Sequence, residues 1–327
     1  MKIAIISDGN NELGMGHIYQ SITLYNLLKD SNVPEEIFFI TKSESHVVKL
    51  LKTTEGAVFQ CKNDDEIFEL LKEKQVSKVI FDKLDVSPNL ALSIKKELKK
   101  KLIILTNLTE ANKYADVTVL ADIGSNFKNI YKIDKTNGKV EFFGPKYWLL
   151  RPEFYKYKKL TNEYNIENVL LIFGGADPCN YSTLVLNELL KSKFKLNITL
   201  ILGSAFNNEK ELNETLKLHE KSNSKVKIEK SVSNVAEKMF TSDLVFASPG
   251  LSFFESLVVG IPVIVFHQNS MQKDVYNGYI KTYGKNDVDK TELFLDSKNF
   301  ISPNDPFIKE MEIGRGKDEI VLEILKN

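Results

Sequence analysis

Short unbroken apolar runs, each followed by a small-residue turn and then by apolar residues at helical spacing, recur along this chain and set its fold class. The first is Ile3-Ala4-Ile5-Ile6. A run that is apolar at every position, not at alternate ones, reads as a strand buried on both faces, which is the situation of a parallel strand covered by helices. The first half predicts strands at Lys2–Ser7, Glu36–Thr41, Lys78–Asp82, Leu102–Thr106 and Val117–Ala121, separated by helices around Tyr19–Lys29, Glu44–Thr53, Asp64–Glu73 and Leu90–Lys100. Residues Asp122–Val140 are polar and read as a loop region. A second series of strands follows at Asn168–Phe173, Asn197–Leu202, Val226–Glu229, Leu244–Ala247 and Pro262–Phe266. The expectation is an α/β protein of two Rossmann-like domains facing each other across a cleft, with right-handed crossovers throughout. The domains are expected at 1–150 and 151–327, with the last helix a candidate to pack back on the first. A chain of 327 residues is long enough to bury both cores.

Charge narrows the class of partner. Lys plus Arg and Asp plus Glu number 44 each, and residues 1–150 carry 21 basic and 20 acidic side chains, so neither half has the basic excess of a nucleic-acid binder. Arginine occurs only at Arg151 and Arg315, which leaves any phosphate to backbone amides, helix N-termini, hydroxyls or lysines. The two cysteines, Cys61 and Cys179, and the four histidines lack metal-ligand spacing, so no metal and no cofactor are expected. The amino terminus has neither a signal-peptide pattern nor a span of about twenty apolar residues, and a cytoplasmic protein is expected.

Within this frame the turn Gly14-Met15-Gly16-His17 joins the first strand to the first helix, the place where doubly wound sheets bind ligands. His17 is read there either as a general base or as a residue that only caps the helix, and Gln20 lies on the same helix. Asp82 and Asp85 follow the strand Val79–Phe81, near enough for one of them to orient His17 or to meet a sugar hydroxyl. Ser87-Pro88 can start the next helix with Asp85 in its approach loop. In the second half, Gly174-Gly175-Ala176-Asp177, with Asn180 beyond it, and Ser248-Pro249-Gly250-Leu251-Ser252 each present backbone amides at a helix start and suit a diphosphate. Glu255, one turn into the helix, suits a ribose diol. Asn269 and Gln272 emerge after the last strand of the series.

Taken together, these motifs resemble the PseG and SpsG family: GxGHxxx near the amino terminus, GGxD with Asn180 at mid-chain, the small-residue turn followed by FFExxxxGxP, and a terminal Gln. The segment from Phe143 to Phe154 is similar to the family's interdomain pattern GPxYxxLRxEF. The resemblance spans Met1 to about Gly284 and implies a GT-B fold related to MurG-type glycosyltransferases. For the PseG branch it implies hydrolysis of a UDP-linked diacetamido-trideoxy sugar. Three positions depart from that branch: Gln20 stands where Arg is usual, Met271-Gln272 where Asn-Gln is usual, and Asp82-Lys83-Leu84-Asp85 where Asp-x-Tyr is usual. These departures are more like an SpsG-type branch of polysaccharide biosynthesis.

The expected chemistry is metal-independent displacement at the anomeric carbon of a nucleotide sugar. His17 is the base, Asp82 is the second catalytic candidate, to orient His17 or to contact a sugar hydroxyl, and Gly14, Gly16, Gln20, Gly174, Gly175, Asp177, Asn180, Ser248, Gly250, Leu251, Ser252, Glu255, Asn269 and Gln272 hold the substrate. With water as nucleophile the protein is a hydrolase, and with an acceptor hydroxyl it is an inverting glycosyltransferase. A non-catalytic nucleotide-sugar binding subunit is the third reading.

Overall fold

The computed structural model describes residues 2–9, 15–31, 36–121, 128–159, 165–230, 232, 234–276, 278–297 and 299–326. They divide into two compact units. One runs up to Arg151 and takes in the chain from Met311 onward, and the other is Pro152–Glu310.

In the first unit the strands are β1 (Lys2–Ser7), β2 (Glu36–Thr41), β3 (Ala57–Gln60), β4 (Lys78–Asp82), β5 (Lys101–Leu105), β6 (Val117–Leu120), β7 (Ile130–Ile133) and β8 (Val140–Phe143). They form one sheet in the order β3-β2-β1-β4-β5-β6-β8-β7, parallel except for the β7–β8 pair. The helices of this part are α1 (Gly16–Asp30), α2 (Ser45–Leu51), α3 (Asp64–Glu73) and α4 (Pro88–Ser93). Ile3, Ala4, Ile5 and Ile6 of β1 are fully buried, as an apolar run between two helical layers requires.

The structure adds strands that the sequence reading passed over. β3 is half-exposed at the sheet edge and lacks a continuous apolar run, and β7 falls inside the segment read as loop because every one of its residues faces solvent. The predicted helix Leu90–Lys100 is also divided. α4 is capped by Ser87, whose Oγ accepts from Leu90 N, and it widens into a π turn over Ile94–Leu98 that Lys99 ends in a left-handed conformation, φ +54°.

The second unit contains β9 (Asn168–Ile172), β10 (Asn197–Leu202), β11 (Lys225–Lys230), β12 (Leu244–Ala247), β13 (Val263–Phe266) and β14 (Thr282–Tyr283). The order is β11-β10-β9-β12-β13-β14, all parallel. Its helices are α5 (Tyr181–Lys191), α6 (Glu209–Leu218), α7 (Val235–Phe240), α8 (Leu251–Val259), α9 (Ser270–Tyr276), α10 (Thr291–Ser297) and α11 (Pro306–Glu310). Edge strand β11 carries Lys225, Lys227, Glu229 and Lys230, charges that discourage pairing with another chain.

The last helix, α12 (Lys317–Leu325), packs on the first unit through Ile320 and Ile324, both fully buried. Its terminal carbonyls are met by lysines from the sheet: Lys78 Nζ donates to Leu325 O at 3.0 Å, and Lys101 Nζ to Glu323 O and Lys326 O at 2.7 and 2.8 Å.

In both sheets the strand order reverses beside the first strand of the unit, between β1 and β4 and between β9 and β12. That is the position where open α/β sheets bind ligands, at the carboxyl ends of the strands. Register brings Ser7 opposite Asp82 and Asp82 opposite Leu105 in the first unit, and Ile172 opposite Ala247 and Ala247 opposite Val265 in the second.

Candidate functional site

In the first unit the candidate site grows from three neighbouring carboxyl ends and one helix start. Asp82 ends β4 and is fully buried, so its carboxylate must find its partners inside the protein. It has four. His17 Nδ1 lies 2.9 Å from Oδ1, Gln20 Nε2 donates to Oδ1 at 3.1 Å, Thr106 Oγ1 donates to Oδ1 at 2.9 Å, and Ser21 Oγ donates to Oδ2 at 3.1 Å. Ser7 Oγ donates to the Asp82 main-chain carbonyl at 3.0 Å.

These contacts explain the polar residues on the buried side of α1. That side combines Ile18, Leu24 and Leu28 with Gln20 and Ser21, the latter two placed to satisfy Asp82. With Nδ1 turned to the carboxylate, the other ring nitrogen, Nε2, faces away from Asp82. Nε2 has no hydrogen-bond partner among the described residues, and the His17 side chain is 15% exposed.

The pairing of His17 with Asp82 was one of the sequence expectations. Gln20 lies elsewhere than expected: it is buried, and its amide is spent on Asp82. Gly16 opens α1, and Gly14 lies outside the described residues. Ser21 and Thr106 were missed, since a serine inside a helix and a threonine after a strand carry no motif of their own.

A second polar cluster flanks the first. Asp8 and Lys83 follow the paired residues Ser7 and Asp82, and Lys83 Nζ lies 2.7 Å from Asp8 Oδ2 and 3.1 Å from Asp85 Oδ1. Asp8 Oδ1 accepts from Lys42 N at 2.7 Å and from Thr41 Oγ1 at 3.3 Å. Burial alone would raise the Asp8 carboxyl, but the ammonium groups of Lys83 and Lys42 and the Lys42 N–H outweigh it and hold it below the usual carboxylate range. Burial alone would lower Lys83, and the carboxylates of Asp8 and Asp85 raise it instead. Asp85 thus serves Lys83 and is otherwise exposed.

The depressed Asp8 contributes stability above its unfolded value, which is lost as pH falls through the folded one. The raised Lys83 contributes below its unfolded value, and this is lost as pH rises through the folded one. Lys83→Met should therefore cost about 2 kcal/mol between roughly pH 5 and 9, and the difference from the parent should shrink in acid. Chemical denaturation at pH 3 and pH 7 checks this, and an equal loss at both would contradict it.

In the second unit three turns meet at carboxyl ends. Gly174 and Gly175 follow β9, Ser248-Pro249-Gly250 follows β12, and Gln268-Asn269 follows β13. Gly250 caps α8 at φ +129° and ψ −157°, a region essentially closed to other residues, and a Cβ there would meet nothing within 4 Å. Its backbone therefore stands against open space. Gly203, after β10, packs against the Gly174-Gly175 turn so closely that a Cβ would lie 2.2 Å from Gly175 O, which fixes that turn from behind.

Gln268 ties the turns together. Its Nε2 lies 2.8 Å from Asp177 Oδ1, 2.9 Å from Ser248 Oγ and 3.4 Å from Phe173 O, and its Oε1 accepts from Cys179 N at 3.0 Å. Gln268 stands nearer the strand end than Asn269 and Gln272, the two residues expected to hold the substrate. Gln272 Oε1 accepts from Gln268 N at 2.7 Å while its Nε2 donates to Pro249 O at 3.2 Å, and Asn269 Oδ1 accepts from Gln272 N at 2.8 Å. The Gln272 side chain is thus committed to the protein at both ends, whereas Asn269 is exposed and engages only its Oδ1.

Two other residues expected at the ligand are buried in the protein. Asp177, buried at φ +48°, accepts from Tyr181 N and Ser182 N at 3.0 and 2.7 Å and so caps α5. Glu255, expected on a ribose diol, is 1% exposed and enclosed by protein. Asn180 Oδ1 is buried without a hydrogen-bond partner. Leu251 and Ser252 form the partly exposed start of α8, where free backbone N–H groups meet the positive end of the helix. Among the described residues no three His, Cys, Asp or Glu side chains gather as a metal site, and no helix is long and apolar enough to cross a membrane.

Two parallel-sheet α/β units, each with turns gathered at the carboxyl ends beside its strand reversal, are the architecture of the GT-B fold. MurG of Acinetobacter baumannii superposes with a TM-score of 0.66 at 13% identity over the full length of both chains. Anabaena HepE, solved in complex with UDP-glucose, gives 0.65 at 12% identity over 99% of each. No protein-family model matches the chain.

By sequence the chain is similar to an uncharacterized protein of Methanocaldococcus jannaschii, 42% identical over 98% of this chain; the chain spans 65% of that protein's length. It is 23% identical to the Bacillus subtilis spore coat polysaccharide biosynthesis protein SpsG, over 82% of this chain and 78% of SpsG. It is 26% identical to the Campylobacter jejuni UDP-2,4-diacetamido-2,4,6-trideoxy-beta-L-altropyranose hydrolase, over 67% of this chain and 76% of the hydrolase. These matches agree with the resemblance to the PseG and SpsG proteins that the motifs carry.

Proposed function

We propose that this chain hydrolyses a nucleotide-activated sugar, with His17 as general base, in the assembly of a surface or spore polysaccharide or of a nonulosonic acid. The observation that carries the proposal is the buried Asp82 carboxylate 2.9 Å from His17 Nδ1, at the ligand-binding edge of a parallel sheet. Such a pair fixes the imidazole in the tautomer whose Nε2 takes a proton from water, and it stabilises the imidazolium that results. The attacking oxygen displaces the nucleoside diphosphate from the anomeric carbon, and the sugar leaves as the free hemiacetal. Within the second unit, backbone amides at the start of α8 and around Gly174 are of the kind that meets a diphosphate.

The likeness to the Campylobacter hydrolase supports water as nucleophile, and UDP is the nucleotide named for that relative and for the HepE complex. The GT-B neighbours favour a second reading, in which an acceptor hydroxyl loses its proton to the same Nε2 and the protein is an inverting glycosyltransferase.

The test is incubation of the purified protein with UDP-, CMP-, CDP- and GDP-sugars, following nucleotide release with and without candidate acceptors. Release without acceptor supports the hydrolase and dependence on acceptor selects the transferase. A thermal shift without turnover reduces the chain to a binding subunit. Turnover should persist in excess EDTA, because the diphosphate is met by amides and the helix start. Activity lost in EDTA and restored by Mg²⁺ would refute that part.

A further inference from the structure

Thr106 stands immediately after β5 with φ +56°, the left-handed region that a β-branched side chain rarely enters. Such strain persists only where the surroundings over-determine it, and it concentrates at functional sites. The next residue, Asn107, belongs to a type that tolerates the left-handed region better, yet it is occupied elsewhere, its Oδ1 accepting from Val86 N at 2.9 Å.

The strained backbone directs the Thr106 hydroxyl to both members of the catalytic pair. Oγ1 lies 2.9 Å from Asp82 Oδ1 and 3.3 Å from His17 Nδ1, while the Thr106 N–H is held by Val119 O at 2.9 Å. The other side-chain partners of Asp82, namely His17, Gln20 and Ser21, all come from α1 and move with it. Thr106 comes from the sheet.

We propose that Thr106 is the positioning residue that locks the His17 tautomer. Its hydroxyl proton goes to Asp82 Oδ1, and its oxygen faces the Nδ1–H as a second, longer acceptor. A ring turned to present Nε2–H to Asp82 instead would lose that acceptor. Three elements are thereby tied at one point: the base on α1, its carboxylate on β4, and the hydroxyl that registers both on β5. The kinetic arm of the test rests on the general-base reading of His17, and the spectroscopic arm does not.

The test compares Thr106→Ser, Thr106→Ala and Thr106→Gly in the full chain. In protein labelled with ¹⁵N at histidine, with His17 assigned by the signals that vanish in His17→Asn, the parent and Thr106→Ser should show a single Nδ1–H tautomer. Thr106→Ala and Thr106→Gly should show a mixed or reversed one. With the nucleotide sugar that is turned over, the Ala and Gly variants should lose about tenfold to a hundredfold in kcat at nearly constant KM, and Ser should retain the parent value. Melting should not follow this order, because Gly relieves the backbone strain and should melt no lower than Ala. A parent-like tautomer in Thr106→Ala, or kcat that tracks melting temperature and not the presence of the hydroxyl, would overturn the proposal. If no nucleotide sugar is turned over, the hydrolase reading fails and the tautomer still decides the role of Thr106.

Discussion

His17→Asn is expected to lower turnover of the nucleotide sugar by about 10²–10⁴-fold while leaving affinity for the free nucleoside diphosphate within about a factor of two. The expected split comes from where the imidazole acts. Its Nδ1 is engaged by Asp82 at 2.9 Å, so what it offers a substrate is one basic nitrogen, and that nitrogen works while the proton moves. The amides assigned to the diphosphate belong to other turns, after β9 and β12. Steady-state rates of nucleotide release together with calorimetric titration of the diphosphate separate the two effects. Unchanged turnover would take His17 out of the mechanism, and a large loss of diphosphate affinity would move it to the binding groups.

The fold was legible where burial is two-sided. Ile3–Ile6, Val79–Phe81, Leu102–Leu105 and Val245–Ala247 lie between helical layers, so nothing but apolar side chains fits them and the chain announces each as an unbroken run. Where a strand is half-covered the signal disappears. Ala57–Gln60 and Ile130–Ile133 are edge strands whose residues are shared with solvent, and composition there is set by exposure more than by pairing.

The same logic divides the site. His17 and Asp82 could be read from position, one in the turn after the first strand and the other at a strand end. Ser21 and Thr106 could not, since their roles exist only once the fold brings them to a carboxylate 61 and 24 residues away in the chain. The acidic and amide residues of the second unit misled in the opposite direction. Asp177, Asn269 and Gln272 look like ligand contacts because they sit in turns at the carboxyl ends of strands, yet turns of that kind carry exposed backbone amides and carbonyls that side chains satisfy. Those side chains hold the turns in shape.

Replacing Asp82 should separate its structural role from its chemical one. Asp82→Ala removes the acceptor for His17 Nδ1, Gln20 Nε2, Ser21 Oγ and Thr106 Oγ1 at a fully buried position, and those donors have no water to turn to. The loss should be about 3–5 kcal/mol, a large part of the stability of a typical domain. Asp82→Asn should behave differently. The three donors on Oδ1 need an oxygen, while Oδ2 meets only the Ser21 hydroxyl, which can accept as readily as it donates. An amide with its oxygen in the Oδ1 place and one N–H toward Ser21 keeps every group paired except its second N–H, so this variant should melt well above Asp82→Ala and below the parent. What it loses is the negative charge that steadies His17 when it becomes imidazolium, and turnover should fall by about 10²–10³-fold. In the double variant with His17→Asn, the two losses should be far from additive, because both act on one proton transfer. Thermal melts and nucleotide-release rates on the two single variants and the double variant decide the matter. An Asp82→Asn protein that is folded and fully active would leave Asp82 a purely structural anchor, with His17 needing no carboxylate behind it.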